Sequence, residues 1–196
     1  MKTKEIEFRA VGTLEAKDGM TIEGYAIRFN EESVILGDFV ETINSDALRE
    51  VDFSDTQLLY NHNRDNILGR TSSETLRLTP TKDGLFFKAT LPETTLGKDT
   101  YELIKRGDLQ GMSFSMRVTE DEWDTRSDPY KRTVKTISEI REVSIVTSPA
   151  YPSTTVAKRS LELLADCKEC HAKDAEMEAM YQKNAEAYEA LMLEIS

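Results

Sequence analysis

The stretch that decides the fold is Gln110-Gly111-Met112-Ser113-Phe114-Ser115-Met116-Arg117-Val118-Thr119. Side chains of a β-strand alternate between its two faces, so the methionines and Phe114 would share one face. Ser113, Ser115 and Arg117 would share the other. We therefore expect a strand with its apolar face on the core and two hydroxyls turned to a cleft. The plain alternative is a half-buried strand whose polar face meets water.

Most of the remaining chain also reads as strand. Apolar and β-branched residues between turn signals predict strands at 4–14, 20–29, 56–61, 74–80, 84–92, 131–140 and 142–148. Helices are expected at 96–106 and at 45–50, the second with Ser45 as its N-cap. This pattern predicts a mostly β protein with flanking helices (α+β), built as a closed or nearly closed β-barrel with the helices packed outside.

The last part of the chain has a different composition. Residues 159–196 contain no glycine or proline, and they carry four basic and nine acidic residues. We expect a working domain over 1–158 and an acidic helical tail over 159–196. Cys167 and Cys170, followed by His171, match a C-x-x-C-H pattern. That pattern can attach haem or supply metal ligands, but helical spacing also allows plain packing against a partner helix.

Composition excludes several classes of protein. The 196 residues include 25 basic and 36 acidic ones, giving a net charge of −11. A protein that binds duplex nucleic acid needs a positive surface, so no nucleic-acid partner is expected. No apolar run reaches the roughly 18 residues of a membrane span, and the N-terminus lacks the apolar core of a signal peptide. We expect a protein that stays in the cytoplasm, without a disulfide framework.

Two further segments offer chemistry that could serve the hydroxyls. His62 follows the apolar strand 56–61 and is one of only two histidines in the chain. Glu142 opens the largely apolar strand 142–148. A serine needs an adjacent base to act as a nucleophile, and a carboxylate can orient that base. The alternatives are a surface histidine in an Asn-rich turn and a glutamate that forms a salt bridge with Arg141 or with a neighbouring strand.

The order of these segments resembles the prohead (capsid-maturation) serine proteases of tailed bacteriophages, which are similar to the assemblin proteases of herpesviruses. The resemblance covers about residues 7–157. Its markers are Glu23-Gly24-Tyr25-Ala26 with Phe29-Asn30, Asn61-His62-Asn63 with Leu68-Gly69-Arg70, Gly111-Met112-Ser113-Phe114-Ser115, and Glu142-Val143-Ser144-Ile145-Val146-Thr147-Ser148-Pro149-Ala150. It implies a herpesvirus-protease-like β-barrel surrounded by helices.

The resemblance also implies roles for individual residues. Ser113 would be the nucleophile, His62 the general base and Glu142 the third member of the triad. Ser115, Asn61 and Arg117 are expected to line the site. The stretch 148–152 lacks the arginines that herpesvirus enzymes carry at the corresponding place, so Arg117 and Arg141 become candidate electrostatic contributors to the oxyanion site. No metal and no cofactor is expected.

The implied function is a serine endopeptidase that cleaves scaffold and capsid protein segments, and itself, during prohead maturation. It would work in the host cytoplasm inside the assembling prohead, as a homodimer or higher homo-oligomer. The tail would mediate self-association or recruitment and be removable by self-cleavage. Two alternatives stay open: a non-enzymatic capsid assembly chaperone or scaffold that uses the acidic tail, and a metal-binding interaction protein built on the cysteine pair.

Overall fold

A computed structural model describes residues 6–10 and 13–147 of the chain. One α-helix, α1, spans Thr95–Arg106 in this part. The strands there are β1 (Glu7–Ala10), β2 (Thr13–Lys17), β3 (Thr21–Arg28), β4 (Phe39–Ile43), β5 (Gln57–Tyr60), β6 (Asn63–Arg70), β7 (Leu76–Pro80), β8 (Gly84–Thr90), β9 (Gly111–Asp124) and β10 (Tyr130–Val146). Contacts divide the chain between Ser153 and Thr154, and all described residues belong to the first unit. The predicted tail, its cysteines and the boundary at residue 158 lie outside the described residues.

The strands form two separate sheets. The first has the order β1-β9-β10-β5-β6, with β4 also paired to β10. The second has the order β2-β3-β8-β7. The mostly β class is confirmed, but the predicted barrel is wrong for the described residues, where the two sheets are not closed into one. Barrel closure needs one continuous ladder, and here the strands of each sheet bond only among themselves. The expected layer of surrounding helices is also absent from the described residues, which contain the single α-helix α1.

Several strand boundaries differ from the sequence prediction. The segment 4–14 holds two strands, because β1 joins the first sheet and β2 the second. The segments 131–140 and 142–148 form one long strand, β10. The sequence prediction missed β4 and β6. The first half of β6 is Asn63-Arg64-Asp65-Asn66, which has no apolar alternation because it lies on the exposed edge of its sheet.

The core is one hydrophobic cluster with side chains from both sheets and from α1. Met112, Phe114 and Met116 are all buried in it, which confirms the predicted apolar face of β9. Burying side chains of this size stabilises the fold by roughly 1.5–3 kcal/mol each. The opposite face of β9 is therefore held in a fixed orientation.

The helix prediction for 96–106 is confirmed by α1. The Thr94 side chain accepts a hydrogen bond from the Gly97 N–H at 3.2 Å, and Gly107 ends the helix in the left-handed region at φ 84°. The predicted helix at 45–50 is wrong. Its residues form successive turns, in which the N–H of Ala47 reaches only back to Asn44 and that of Arg49 to Asp46.

A buried ion network joins β1 to β4, β9 and β10 of the same sheet. Arg9 Nε donates to Glu41 Oε1 at 2.6 Å, and Arg132 Nη1 donates to Glu41 Oε2 at 2.8 Å. Glu7 accepts from both arginines at 2.5 Å, and Asp121 accepts from Arg132 at 2.9 Å. Burial raises the pKa of Glu7, but the hydrogen bond and charge of Arg132, with Arg9, outweigh it and leave the pKa below its usual value. The network therefore stabilises the ionised form.

The turn between β5 and β6 holds His62 in an unusual backbone conformation. Tyr60 pairs with Asn63, so Asn61 and His62 are the two central residues of the hairpin turn. Their φ angles are 49° and 58°. Two left-handed central residues define a type I′ turn, which prefers glycine at the second position. An L residue there costs roughly 1–2 kcal/mol, and such strain is often found at functional sites.

We predict that Glu7→Gln lowers the free energy of unfolding by about 2 kcal/mol at pH 7, because a charge-assisted contact is lost. A carboxyl with a depressed pKa stabilises the fold above its ordinary value of 4.5, and this contribution is lost as the pH falls through the folded-state pKa. The difference in free energy of unfolding between wild type and Glu7→Gln should therefore shrink below the folded-state pKa of Glu7. Urea titrations across pH measure it, with the exposed Glu15→Gln on β2 as control. A difference that persists at low pH would contradict the assignment.

We also predict that His62→Gly is more stable than His62→Ala by about 1 kcal/mol, because both lose the imidazole but only alanine keeps a Cβ at positive φ. The matched control is Asn63, an extended position, where Gly should be less stable than Ala by roughly 0.5–1 kcal/mol. Denaturant midpoints of the four variants decide the matter. If the glycine variant were less stable than the alanine variant at position 62 as well as at position 63, the backbone at His62 would not be strained.

Candidate active site

His62 and Glu142 are in direct contact, although 80 residues separate them. His62 Nδ1 lies 2.7 Å from Glu142 Oε1. The other carboxylate oxygen accepts a short hydrogen bond from the Ser144 hydroxyl. The Glu142 side chain is 9% exposed and that of His62 is 30% exposed. Because an ionised carboxylate only accepts hydrogen bonds, this contact favours the tautomer that has its proton on Nδ1 and leaves Nε2 of His62 as the basic nitrogen.

The ladder between β9 and β10 places the two serines beside this pair. Glu142 is directly opposite Ser115, and Ser144 is directly opposite Ser113. The Ser113 hydroxyl donates to the backbone oxygen of Arg9 at 2.7 Å and is buried. The Ser115 hydroxyl is buried and has no hydrogen-bond partner among the described residues. A buried hydroxyl without a partner costs roughly 1–3 kcal/mol, which is tolerated where a ligand supplies the missing partner.

Phe8 of β1 completes the surroundings of His62. Its ring meets the imidazole edge to face, with the ring centroids 4.9 Å apart. Phe8 is directly opposite Ser115 on the other side of β9. The imidazole therefore contacts Phe8 and Glu142, the two residues that flank Ser115 in the sheet. Its position is fixed from both sides of the serine strand.

A cleft opens at this place. It is lined by Ile6, Phe8, Leu59, His62, Arg64, Ser115, Arg141 and Glu142. Of the predicted site residues, the cleft therefore brings together His62, Glu142, Ser115 and Arg141. The lining does not include Ser113, which lies two residue pairs further along the ladder, opposite Ser144.

The structure gives Asn61 and Arg117 other surroundings. The Asn61 side chain accepts a hydrogen bond from the Thr147 N–H at 3.2 Å, which ties the turn to the end of β10. Arg117 Nε lies 3.1 Å from a carboxylate oxygen of Glu139. Neither residue is part of the cleft lining, so their role in the site stays a prediction.

Phe8 and Arg64 line the cleft but were not among the predicted site residues. No local pattern indicates Phe8, because β1 reaches β9 across more than 100 residues of chain. Arg64 could have been found from the sequence, since it comes two residues after His62 in the same polar stretch of chain.

The described residues contain no helix long and apolar enough to cross a membrane. Among these same residues there is no group of three or more His, Cys, Asp or Glu side chains that could hold a metal ion. The cysteine pair lies outside the described residues.

The groups brought together here are of the kinds that transfer protons to and from hydroxyls in enzymes. It has a base whose free nitrogen is set by a buried carboxylate, and serines on the neighbouring strand. These are the parts that nucleophilic acyl transfer requires.

One of three comparisons with known proteins gives a match. No curated protein and no solved structure matches the chain. A family model described as caudovirus prohead serine protease matches residues 4–167, which is most of the chain. The chain belongs to the caudovirus prohead serine protease family.

Proposed function

We propose that this protein cleaves peptide bonds by acyl transfer, with His62 as general base, Glu142 as its orienting carboxylate and a serine of β9 as nucleophile. The observation that carries the proposal is the 2.7 Å contact between His62 and Glu142 beside two serines on one strand face. Membership of a serine protease family supports it independently.

In the proposed reaction, Nε2 of His62 acts as base and then as acid, first in forming the acyl-enzyme and again in its hydrolysis. It takes the hydroxyl proton as the serine oxygen bonds to the substrate carbonyl carbon, forming a tetrahedral oxyanion. The oxyanion collapses, the C–N bond breaks, and the imidazolium gives its proton to the departing amine. A water then attacks the acyl-enzyme ester while His62 takes its proton. The second tetrahedral intermediate collapses, the ester C–O bond breaks, the acid product leaves, and the imidazolium returns the proton to the serine oxygen. Glu142 stabilises the imidazolium in both steps, and its own position depends on Ser144.

The nucleophile in this proposal is Ser113, which the family resemblance implies. Its hydroxyl is bound to the Arg9 backbone oxygen in the free chain, so attack requires rotation of the side chain toward His62. Hydrogen bonds needed for catalysis often form only when substrate is bound, so this resting contact does not exclude the role. Ser115 is the alternative, favoured by its place in the cleft and its unpartnered hydroxyl. With Ser113 as nucleophile, Ser115 supplies a hydrogen bond to bound substrate.

The proposed substrates are capsid and scaffold protein segments and the protease itself, inside the assembling prohead in the host cytoplasm. Action on several copies of a shell protein fits a protease that is itself a homodimer or higher homo-oligomer. The segment 159–196 would recruit the protease or hold its copies together, and would be removed by self-cleavage. Arg141 lines the cleft, and in this proposal it stabilises the negative charge that develops on the oxyanion.

We predict that wild type, alone or co-expressed with its capsid protein, yields discrete fragments whose intact masses appear with time. Ser113→Ala and His62→Ala should slow their formation at least about 10⁴-fold, because the nucleophile or base is gone. Ser115→Ala should slow it only roughly tenfold, by the loss of one hydrogen bond. Ser54→Ala, an exposed loop serine, is the matched control.

Three results would contradict parts of the proposal. If Ser115→Ala abolished cleavage while Ser113→Ala retained it, the nucleophile would be Ser115. Identical fragments in the His62→Ala variant would exclude the His62–Glu142 pair from the chemistry. An unchanged mass in wild type even with the capsid protein would favour the non-enzymatic assembly role.

A further inference from the structure

Two arginines of the cleft come from irregular positions in their strands. In the ladder with β9, Ile140 pairs with Met116 and Glu142 pairs with Ser115, so Arg141 is an extra residue. In the ladder of β5 with β6, Tyr60 pairs with Asn63 and Leu59 pairs with Ile67, so residues 64–66 have no partner. Bulges of this kind redirect side chains and are frequent beside active sites. Both irregularities direct an arginine into the cleft that holds His62.

These guanidinium groups are not neutralised by the carboxylate of the site. Both oxygens of Glu142 are engaged, one by His62 and one by Ser144. Arg141 contacts Glu139, which it shares with Arg117. Arg64 is exposed and makes no hydrogen bond or ion pair with any described residue.

The charge of the cleft is opposite to that of the chain. The cleft lining contains two arginines, Arg64 and Arg141, and one carboxylate, Glu142. The whole protein, in contrast, has a net charge of −11. A local positive site in an acidic protein attracts and orients anionic groups, and arginine binds carboxylates in a bidentate geometry. The remaining wall, Ile6, Phe8 and Leu59, is apolar and fits the neighbouring part of an extended peptide.

We infer, resting on the proposed function, that the protease selects substrates with an aspartate or glutamate within two residues of the scissile bond. Arg64 is the principal specificity residue, because its guanidinium has no partner among residues 6–10 and 13–147. Arg141 adds to the selection while it remains shared with Glu139. A single charge-assisted contact corresponds to a preference of about 10- to 100-fold in kcat/KM.

The test uses synthetic ten-residue peptides in matched pairs that differ only by Glu against Gln, or Asp against Asn, at each position. Cleavage is followed by mass spectrometry for wild type, Arg64→Gln and Arg141→Gln. Arg77→Gln on β7 of the other sheet is the control, because it removes the same charge outside the cleft. We expect wild type and Arg77→Gln to prefer the acidic member by at least tenfold, and Arg64→Gln to lose most of that preference.

Equal cleavage of both members by wild type would overturn the inference and leave the proposed function standing. If no peptide is cleaved, a binding experiment distinguishes failure of the proposed protease function from failure of the inferred acidic preference. Fluorescent peptides from the same pairs are titrated into His62→Ala, with and without Arg64→Gln. Tighter binding of the acidic member that depends on Arg64 would support the anionic site even if the protease function failed. Equal binding would overturn the inference.

Discussion

The antiparallel ladder between β9 and β10 determines where the serines and the carboxylate of the candidate site lie. It sets Glu142 opposite Ser115 and Ser144 opposite Ser113, and its apolar face is anchored in the core by residues such as Phe114. A shift of the register by one residue would turn both serines into the core and the apolar face into the cleft. Core packing therefore fixes the chemistry, because the same strand supplies both faces.

The rest of the fold holds the histidine to that ladder. The strained turn at His62 is tied to β10 by Asn61, whose N–H donates to the Ile145 carbonyl at 2.9 Å. From the other side, the buried ion network secures β1 and thereby keeps Phe8 against the imidazole. The cost of the left-handed backbone at His62 is offset by these contacts, as is common where a side chain must be presented in one orientation.

The sequence carries the local parts of this arrangement but not the long-range ones. Alternation predicted the two faces of β9, and the scarcity of histidine singled out His62. Glu142 was found because a carboxylate in an apolar strand is unusual. The position of β1 depends on the ion pairs that Arg9 forms with Glu7 and with the distant Glu41 in the folded chain. The sequence alone therefore predicted neither the place of Phe8 nor the division of the strands into two open sheets. The arginines of the cleft depend on bulges, which leave no periodic signal.

The most direct measurement of the central claim is the site of covalent labelling by a fluorophosphonate, which reacts with an activated serine. The tryptic peptide that contains both β9 serines would be fragmented to locate the added mass. The account predicts label on Ser113, at a rate that falls to background in His62→Ala. Label that forms equally well without His62, or no label on either β9 serine, would contradict it.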